Sequence, residues 1–389
     1  MIPLYFAYFV FGFTFAFISV AVQFHMVEHL HFSPANNTYS WAIISSPWIF
    51  KPVYGILSDK LHFGYRRAHI SIAAFLCGLV FAYAPSLIVG QYSLVAVLTI
   101  GSLFLCVADV VCDALMVAFA KAHHNGGLQS RCWMARNFGA LSATSMSGVA
   151  YTVLGFSPIL RLAALPIFIL SVYIWDLKED RSATPPVAVV TVSCKAFASL
   201  WRLLLFIGVC ALVPEISAIL FYKLRESGIN PLQLSLIKLI GSGCACVAAF
   251  GYQFWRGYRS ALITSISFGV VSTVIAFAIA QGANAFEWAV VRSVVNSFAS
   301  MLFVLPIAVR ATTACPDGAE GTTYSMVMAW MNLSGIVSET LEGAVVNALG
   351  ITQYDLSKLG VFCFAGIVLS CVPFSALRLL SPKTEDRVA

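Results

Sequence analysis

The chain breaks into successive apolar stretches, most of them about 20 residues long, joined by short polar connections. A helix rises about 1.5 Å per residue, so each stretch can cross the roughly 30 Å of hydrocarbon in a bilayer. Backbone N–H and C=O groups find no water there, and a chain of this pattern must span as α-helices that satisfy those groups internally. Spans are predicted near 2–24, 37–57, 68–88, 92–120, 129–153, 157–176, 196–222, 231–254, 261–281, 285–310, 321–349 and 357–380. The expected fold class is an all-α polytopic membrane protein of about 12 transmembrane helices.

Composition supports this and narrows the function classes. The chain is 60% hydrophobic and 10% charged, against roughly 25% charged residues in a soluble domain. Its net charge of +6 falls in connections between apolar runs and makes no compact basic face, so no nucleic-acid partner is expected. The 11 cysteines are scattered, and Cys244 with Cys246 lacks a second pair. Neither a disulfide framework nor a metal site nor a cofactor is expected. Met1 opens directly onto an apolar run without a basic leader, which reads as a first span rather than a cleaved signal; any targeting tail would have preceded it.

Basic residues lie mostly on one side: Lys60, Arg66, Arg67, Lys121, Lys178, Arg181, Lys195, Arg256, Arg259, Lys383 and Arg387. The positive-inside rule makes that side cytosolic and puts both termini there. The best linker is the polar stretch carrying Lys178, Glu179, Asp180, Arg181, Pro185 and Pro186. The expected organisation is a six-helix bundle over 1–177, a cytosolic linker over 178–195, a second six-helix bundle over 196–380 and a tail over 381–389.

An internal repeat supports two halves. Gly55, Ser58 and Asp59 precede Gly64, Arg66 and Arg67 after the second span, and Gly251, Arg256, Gly257 and Arg259 echo them after the eighth. This turn resembles the loop motif of the major facilitator superfamily, whose fold has the same architecture. Asp59, Arg66 and Arg67 are suited to cap helix ends and to pair across the cytosolic side as gate residues.

Three further runs are more specific. The first is Pro47, Trp48, Ile49, Phe50, Lys51 and Pro52, leading to Gly55, Ser58 and Asp59. The second joins Asp109 and Asp113 to Gln129, Ser130, Arg131, Cys132, Trp133, Arg136 and Gly139. The third is Cys315, Pro316, Asp317 and Gly318 with Glu320, Gly321, Thr322, Tyr324, Met328, Asn332 and Gly335. In this order they resemble the folate/biopterin transporter family. The resemblance implies a monomeric secondary active transporter of pterins or folates such as biopterin and folate, working by alternating access with proton coupling. It leaves open another organic solute such as S-adenosylmethionine, or a transport-inactive ligand receptor. No nucleophile–base pattern indicates an enzyme. The plasma membrane is the expected location, with an organelle membrane as the alternative.

Ionisable groups inside spans mark the candidate site, since each costs roughly 2.5–3.5 kcal/mol at a helix centre on insertion scales. Asp109 and Asp113 are four apart and share a helix face. A carboxylate accepts two adjacent N–H donors of a pterin edge side by side, and Asp109 is the first candidate for that contact. Asp113 is expected to pair with Arg136 at the gate, and Arg136 is expected to neutralise a carboxylate or meet an anionic substrate. Glu215 and Lys238 fall at comparable depth and form a plausible pair, with Glu215 as an alternative proton carrier and Pro214 beside it able to open the helix. Arg292 matches Glu339 and Glu342 in depth; structural pairing is expected for Glu342, while Arg292 is a candidate for an anionic end of the substrate. Lys51 is expected to snorkel to the interface as a gate residue, with Arg131 and Glu320 also in the gate. His25, His29 and His31 are expected to be solvated interface residues. Trp48, Phe138 and Trp330 are candidates for stacking on a flat ring.

Overall fold

The computed structural model describes residues 1–60, 65–122, 127–178, 189–255, 257–316 and 319–380, the side chains of 58–60, 121, 122 and 189 excepted. Every regular element among the described residues is helical. The first half contains α1 (Ile2–Phe24), α2 (Pro34–Ser45), α3 (Lys51–Lys60), α4 (Arg66–Leu87), α5 (Gln91–Ala122), α6 (Leu128–Leu154) and α7 (Phe156–Tyr173). The second contains α8 (Val189–Ser199), α9 (Trp201–Cys210), α10 (Ser217–Glu226), α11 (Pro231–Tyr252), α12 (Tyr258–Ala280), α13 (Ala285–Ala314), α14 (Glu320–Leu349) and α15 (Leu359–Ala376).

Among the described residues, 8 helices are long and apolar enough to cross a membrane unaided. The remaining spans are the ones that carry charge or breaks: α2 with α3, the Arg131 and Arg136 helix α6, the segmented α8 to α10, and α14 with Glu320, Glu339 and Glu342. These bring the bundle to about twelve crossings.

Two spans predicted as single helices are broken. Around 37–57 the chain runs from α2 through a 3-10 turn at Ser46–Phe50 into α3, because Pro47 and Pro52 each remove a backbone donor from the helical ladder. The span placed at 196–222 is in three pieces. Helix α8 begins within the expected linker and meets α9 at 69°, and residues 211–216 are non-helical around Pro214, with Ile216 at φ +64° before α10 starts. Within that linker, 179–188 lie outside the described residues, as do 381–389 of the tail.

Helix ends follow local chemistry. Ser33 caps α2 by accepting the Asn36 N–H, and Asn230 with Gln233 forms a reciprocal capping box on α11, each ahead of a proline whose missing N–H costs nothing at a first turn. The tightest helix contact is α1 on α6. A Cβ at Gly12 would lie 1.8 Å from the Arg136 carbonyl oxygen and one at Gly139 would lie 2.0 Å from that of Phe9, so only glycine lets these backbones meet. That crossing fixes the height of Arg136 against the first span.

Candidate functional site

Four charged side chains meet near the middle of the first half. Asp109 and Asp113 stand on one face of α5, α3 starts at Lys51, and Arg136 reaches in from α6. Lys51 Nζ donates to Asp109 Oδ2 at 2.7 Å and to Asp113 Oδ2 at 3.3 Å. Arg136 Nη1 donates to Asp109 Oδ1 at 2.9 Å, and the Tyr8 hydroxyl on α1 donates to Asp113 Oδ1 at 2.5 Å. The set is formally neutral, with Lys51, Asp109 and Asp113 buried. Its cations also lie over indole rings: Lys51 is 5.0 Å from the Trp48 ring centroid and Arg136 is 5.4 Å from that of Trp133.

This geometry revises three expectations. Lys51 does not snorkel: the proline-broken second span turns it into the bundle, where it bridges both aspartates. Arg136 pairs with Asp109 rather than Asp113. Both oxygens of Asp109 are taken by cations, so in this conformation it has no face to offer a pterin edge.

Beside the cluster lies the central cavity, in adjoining compartments of about 410, 380, 360 and 320 Å³ that share lining residues. The smallest sits against the cluster and is walled by Trp48, Trp133, Met328, Asn332 and Glu339. The largest is walled by Ser19, Glu215, Lys238, Arg292, Glu339 and Glu342 among others. The residues matched by sequence depth line this compartment, while the expected pairs do not form. Lys238 Nζ donates to Ser19 Oγ at 3.0 Å, and Arg292 reaches the Glu215 carbonyl at 3.3 Å and Ser217 Oγ at 3.4 Å. Neither forms an ion pair among the described residues. Glu215 lies in the 211–216 break, its carboxylate accepting from Ser217 Oγ at 3.0 Å. Glu342 Oε2 accepts the Ile216 N–H at 3.0 Å and so caps the reopened helix, and Ser338 donates to the Val213 carbonyl at 2.5 Å.

Contacts between the two halves flank the cavity at both ends. At the basic end, which holds Met1 and Arg66, Gln129 of α6 donates to the Tyr324 hydroxyl at 2.9 Å and accepts from Thr312 Oγ1 at 2.9 Å. Gly55 meets Gly321 there, a Cβ on the former falling 2.6 Å from the latter's carbonyl oxygen. At the opposite end Tyr222 donates to the Phe32 carbonyl at 2.8 Å, Arg225 pairs with Glu28, and Gly148 N–H donates to Ser235 Oγ at 3.0 Å.

The remaining gate candidates are dispersed. Arg67 donates to the carbonyls of Trp175 and Leu177 and lies over the rings of Tyr65 and Trp175, which braces the first half internally. Arg66 stands at the start of α4, Arg131 is exposed, and Glu320 is buried at the start of α14. The Asp59 side chain lies outside the described residues. Of the ring-stacking candidates, Trp48 lines the cavity, whereas Phe138 is exposed against Phe9 and Trp330 donates to the Leu204 carbonyl. His25 stacks on Phe156 at 3.8 Å, and among the described residues no group of three or more His, Cys, Asp or Glu is arranged to hold a metal.

Sequence reasoning missed the contacts of Tyr8 and Trp133 with the cluster and the place of Glu339 in the cavity wall. Tyr8 and Asp113 are within about 5 Å in depth by helix rise from the basic end, a usable signal that matching of charges alone passed over.

Comparison with known proteins agrees with this architecture. A model of the BT1 family matches residues 12–388. A folate-biopterin transporter of Synechocystis is 25% identical over 95% of this chain and 80% of its own length. A probable folate-biopterin transporter of Arabidopsis thaliana is 27% identical over 94% of this chain and 79% of its own. Among solved structures, the nucleoside transporter NupG superposes with a TM-score of 0.70 at 14% identity, covering 98% of each chain. The proton:xylose symporter XylE, of the major facilitator superfamily, gives 0.67 at 16% identity over 97% of this chain and 94% of its own.

Proposed function

The chain belongs to the BT1 family and is an integral-membrane transporter of the major facilitator fold; from that premise we propose that it carries pterins or folates by alternating access, coupled to protons. The observation that supports this reading is a cavity between two helical halves that is lined by charged side chains and flanked at both ends by contacts that cross from one half to the other. Rocking the halves about that cavity opens each end in turn. The relatives named as folate-biopterin transporters support the substrate class. Lys238 and Arg292, unpaired with any carboxylate among the described residues, supply cations for an anionic tail. Glu339, a cavity carboxylate with no cation partner among the described residues, supplies a group able to exchange a proton. The skew of basic residues toward the Met1 end supports cytosolic termini.

The test is uptake by proteoliposomes holding the purified protein. Labelled folate or biopterin should accumulate, faster under an imposed proton gradient, and each should compete with the other. Uptake unaffected by the gradient removes proton coupling. Competition by S-adenosylmethionine and not by pterins transfers the reading to another organic solute, and binding without accumulation favours a receptor.

A further inference from the structure

A pterin presents adjacent N–H donors on its pyrimidine edge, and a carboxylate is the side chain that accepts both at once. The carboxylates around the cavity differ sharply in what they already hold. Asp109 is occupied by Lys51 and Arg136, and Asp113 by Lys51 and Tyr8. Glu342 caps Ile216 through Oε2 while its Oε1 is buried without a donor among the described residues, and Glu215 is engaged by Ser217, so Glu339 differs in having neither oxygen engaged. Glu339 has neither a hydrogen bond nor an ion pair among the described residues, and its Oε2 is buried. A buried carboxylate oxygen left without a donor is costly and calls for an explanation beyond packing.

Its position supplies one. Glu339 lines the compartment walled by Trp48 and Trp133 and also the compartment that holds Lys238 and Arg292. Those two cations are held at one level, because Ser293 beside Arg292 donates to the carbonyl of Ile237 beside Lys238 at 2.9 Å. An acceptor pair, aromatic walls and two cations thus adjoin around one carboxylate.

We propose that Glu339 is the specificity-determining anchor for the ligand's heterocycle: its carboxylate, bound to no donor among the described residues, turns Oε2 out of its buried position so that both oxygens accept the 2-amino and ring N–H donors, the ring lies beside Trp48 and Trp133, and any carboxylate tail points to Lys238 and Arg292. This rests on the pterin and folate reading above. It moves the heterocycle contact from the first half of the chain to α14.

Equilibrium binding to the purified protein in lipid nanodiscs tests it, using biopterin, folate, a 2-desamino pterin and p-aminobenzoylglutamate, which has the folate tail without the pteridine. Glu339→Gln places an amide donor where one acceptor stood, and biopterin and folate should bind roughly ten- to a hundredfold more weakly, the loss expected for hydrogen bonds to a charged group. Binding of p-aminobenzoylglutamate should be unchanged. With the unaltered protein the 2-desamino pterin should be weakened by a similar factor, a measurement that does not depend on a variant folding. Lys238→Gln should show the opposite selectivity, weakening folate and p-aminobenzoylglutamate and sparing biopterin. Unchanged biopterin binding by Glu339→Gln, equal loss for the tail probe, or a 2-desamino pterin that binds as well as biopterin each overturns the anchor. If the unaltered protein binds none of these ligands, the pterin reading itself fails and takes the anchor with it.

Discussion

Asp109 is the most consequential single position in the buried cluster, because each of its oxygens holds a different cation. Asp109→Asn keeps the shape, removes the charge and leaves the cluster formally at +1. Lys51 retains Asp113 at 3.3 Å, while Arg136 loses its only ion-pair partner among the described residues. Removing one partner of a buried pair costs about 3–5 kcal/mol, most of it the uncompensated charge left behind. Asp113→Asn should cost less, roughly 1–3 kcal/mol, because Arg136 and Lys51 both keep Asp109 and Tyr8 keeps an acceptor. The assay is denaturant unfolding of the purified protein in mixed micelles, run as a cycle with Arg136→Met. The double variant Asp109→Asn with Arg136→Met restores neutrality and should recover part of the loss, giving a coupling energy of about 0.5–3 kcal/mol. The account is refuted if Asp109→Asn is no more destabilising than Asp113→Asn, or if the double variant is simply additive.

Other positions give independent checks. Gly139→Ala puts a methyl 2.0 Å from the Phe9 carbonyl oxygen and should destabilise by at least roughly 1–3 kcal/mol, read as lower unfolding midpoint or loss of monodisperse protein. Tyr324→Phe removes the acceptor for Gln129; losing about 1 kcal/mol of closure should shift the population open at the basic end roughly fivefold, measured by thiol labelling of single cysteines placed there. Glu28→Gln removes the ion pair with the half-exposed Arg225 and should change stability by under about 1 kcal/mol, so a larger loss would show that the opposite end depends on that pair.

Span count was legible from apolar runs read together with their breakers, since length and apolarity alone mark eight crossings among the described residues. The two broken spans were legible only in part: Pro214 signalled the opening of the seventh, but nothing in the residues signalled the 69° turn between α8 and α9. Depth in the membrane was also legible: Glu215 was matched with Lys238, and Arg292 with Glu339 and Glu342, and all five line one compartment. Pairing was not, because depth gives the axial coordinate and leaves the rotation of each helix undetermined. Asp109 and Asp113 share a face and differ by about 6 Å in height, so Arg136 could not be assigned between them from the chain alone. Lys51 failed for a different reason: an unbroken helix would have carried it to the interface, and the 3-10 turn at Ser46–Phe50 redirected it.

The cluster of Lys51, Asp109, Asp113 and Arg136 draws all its members from one half of the molecule, whereas the ties described across the halves at the basic end, Gln129 with Tyr324 and Thr312 and Gly55 against Gly321, are uncharged. Parting the halves at that end therefore separates no ions in these contacts, whereas at the opposite end it separates Arg225 from Glu28. Each uncharged tie is worth only about 1 kcal/mol, so these ties should respond weakly to ionic strength, and the Arg225–Glu28 pair at the far end should weaken as salt is added.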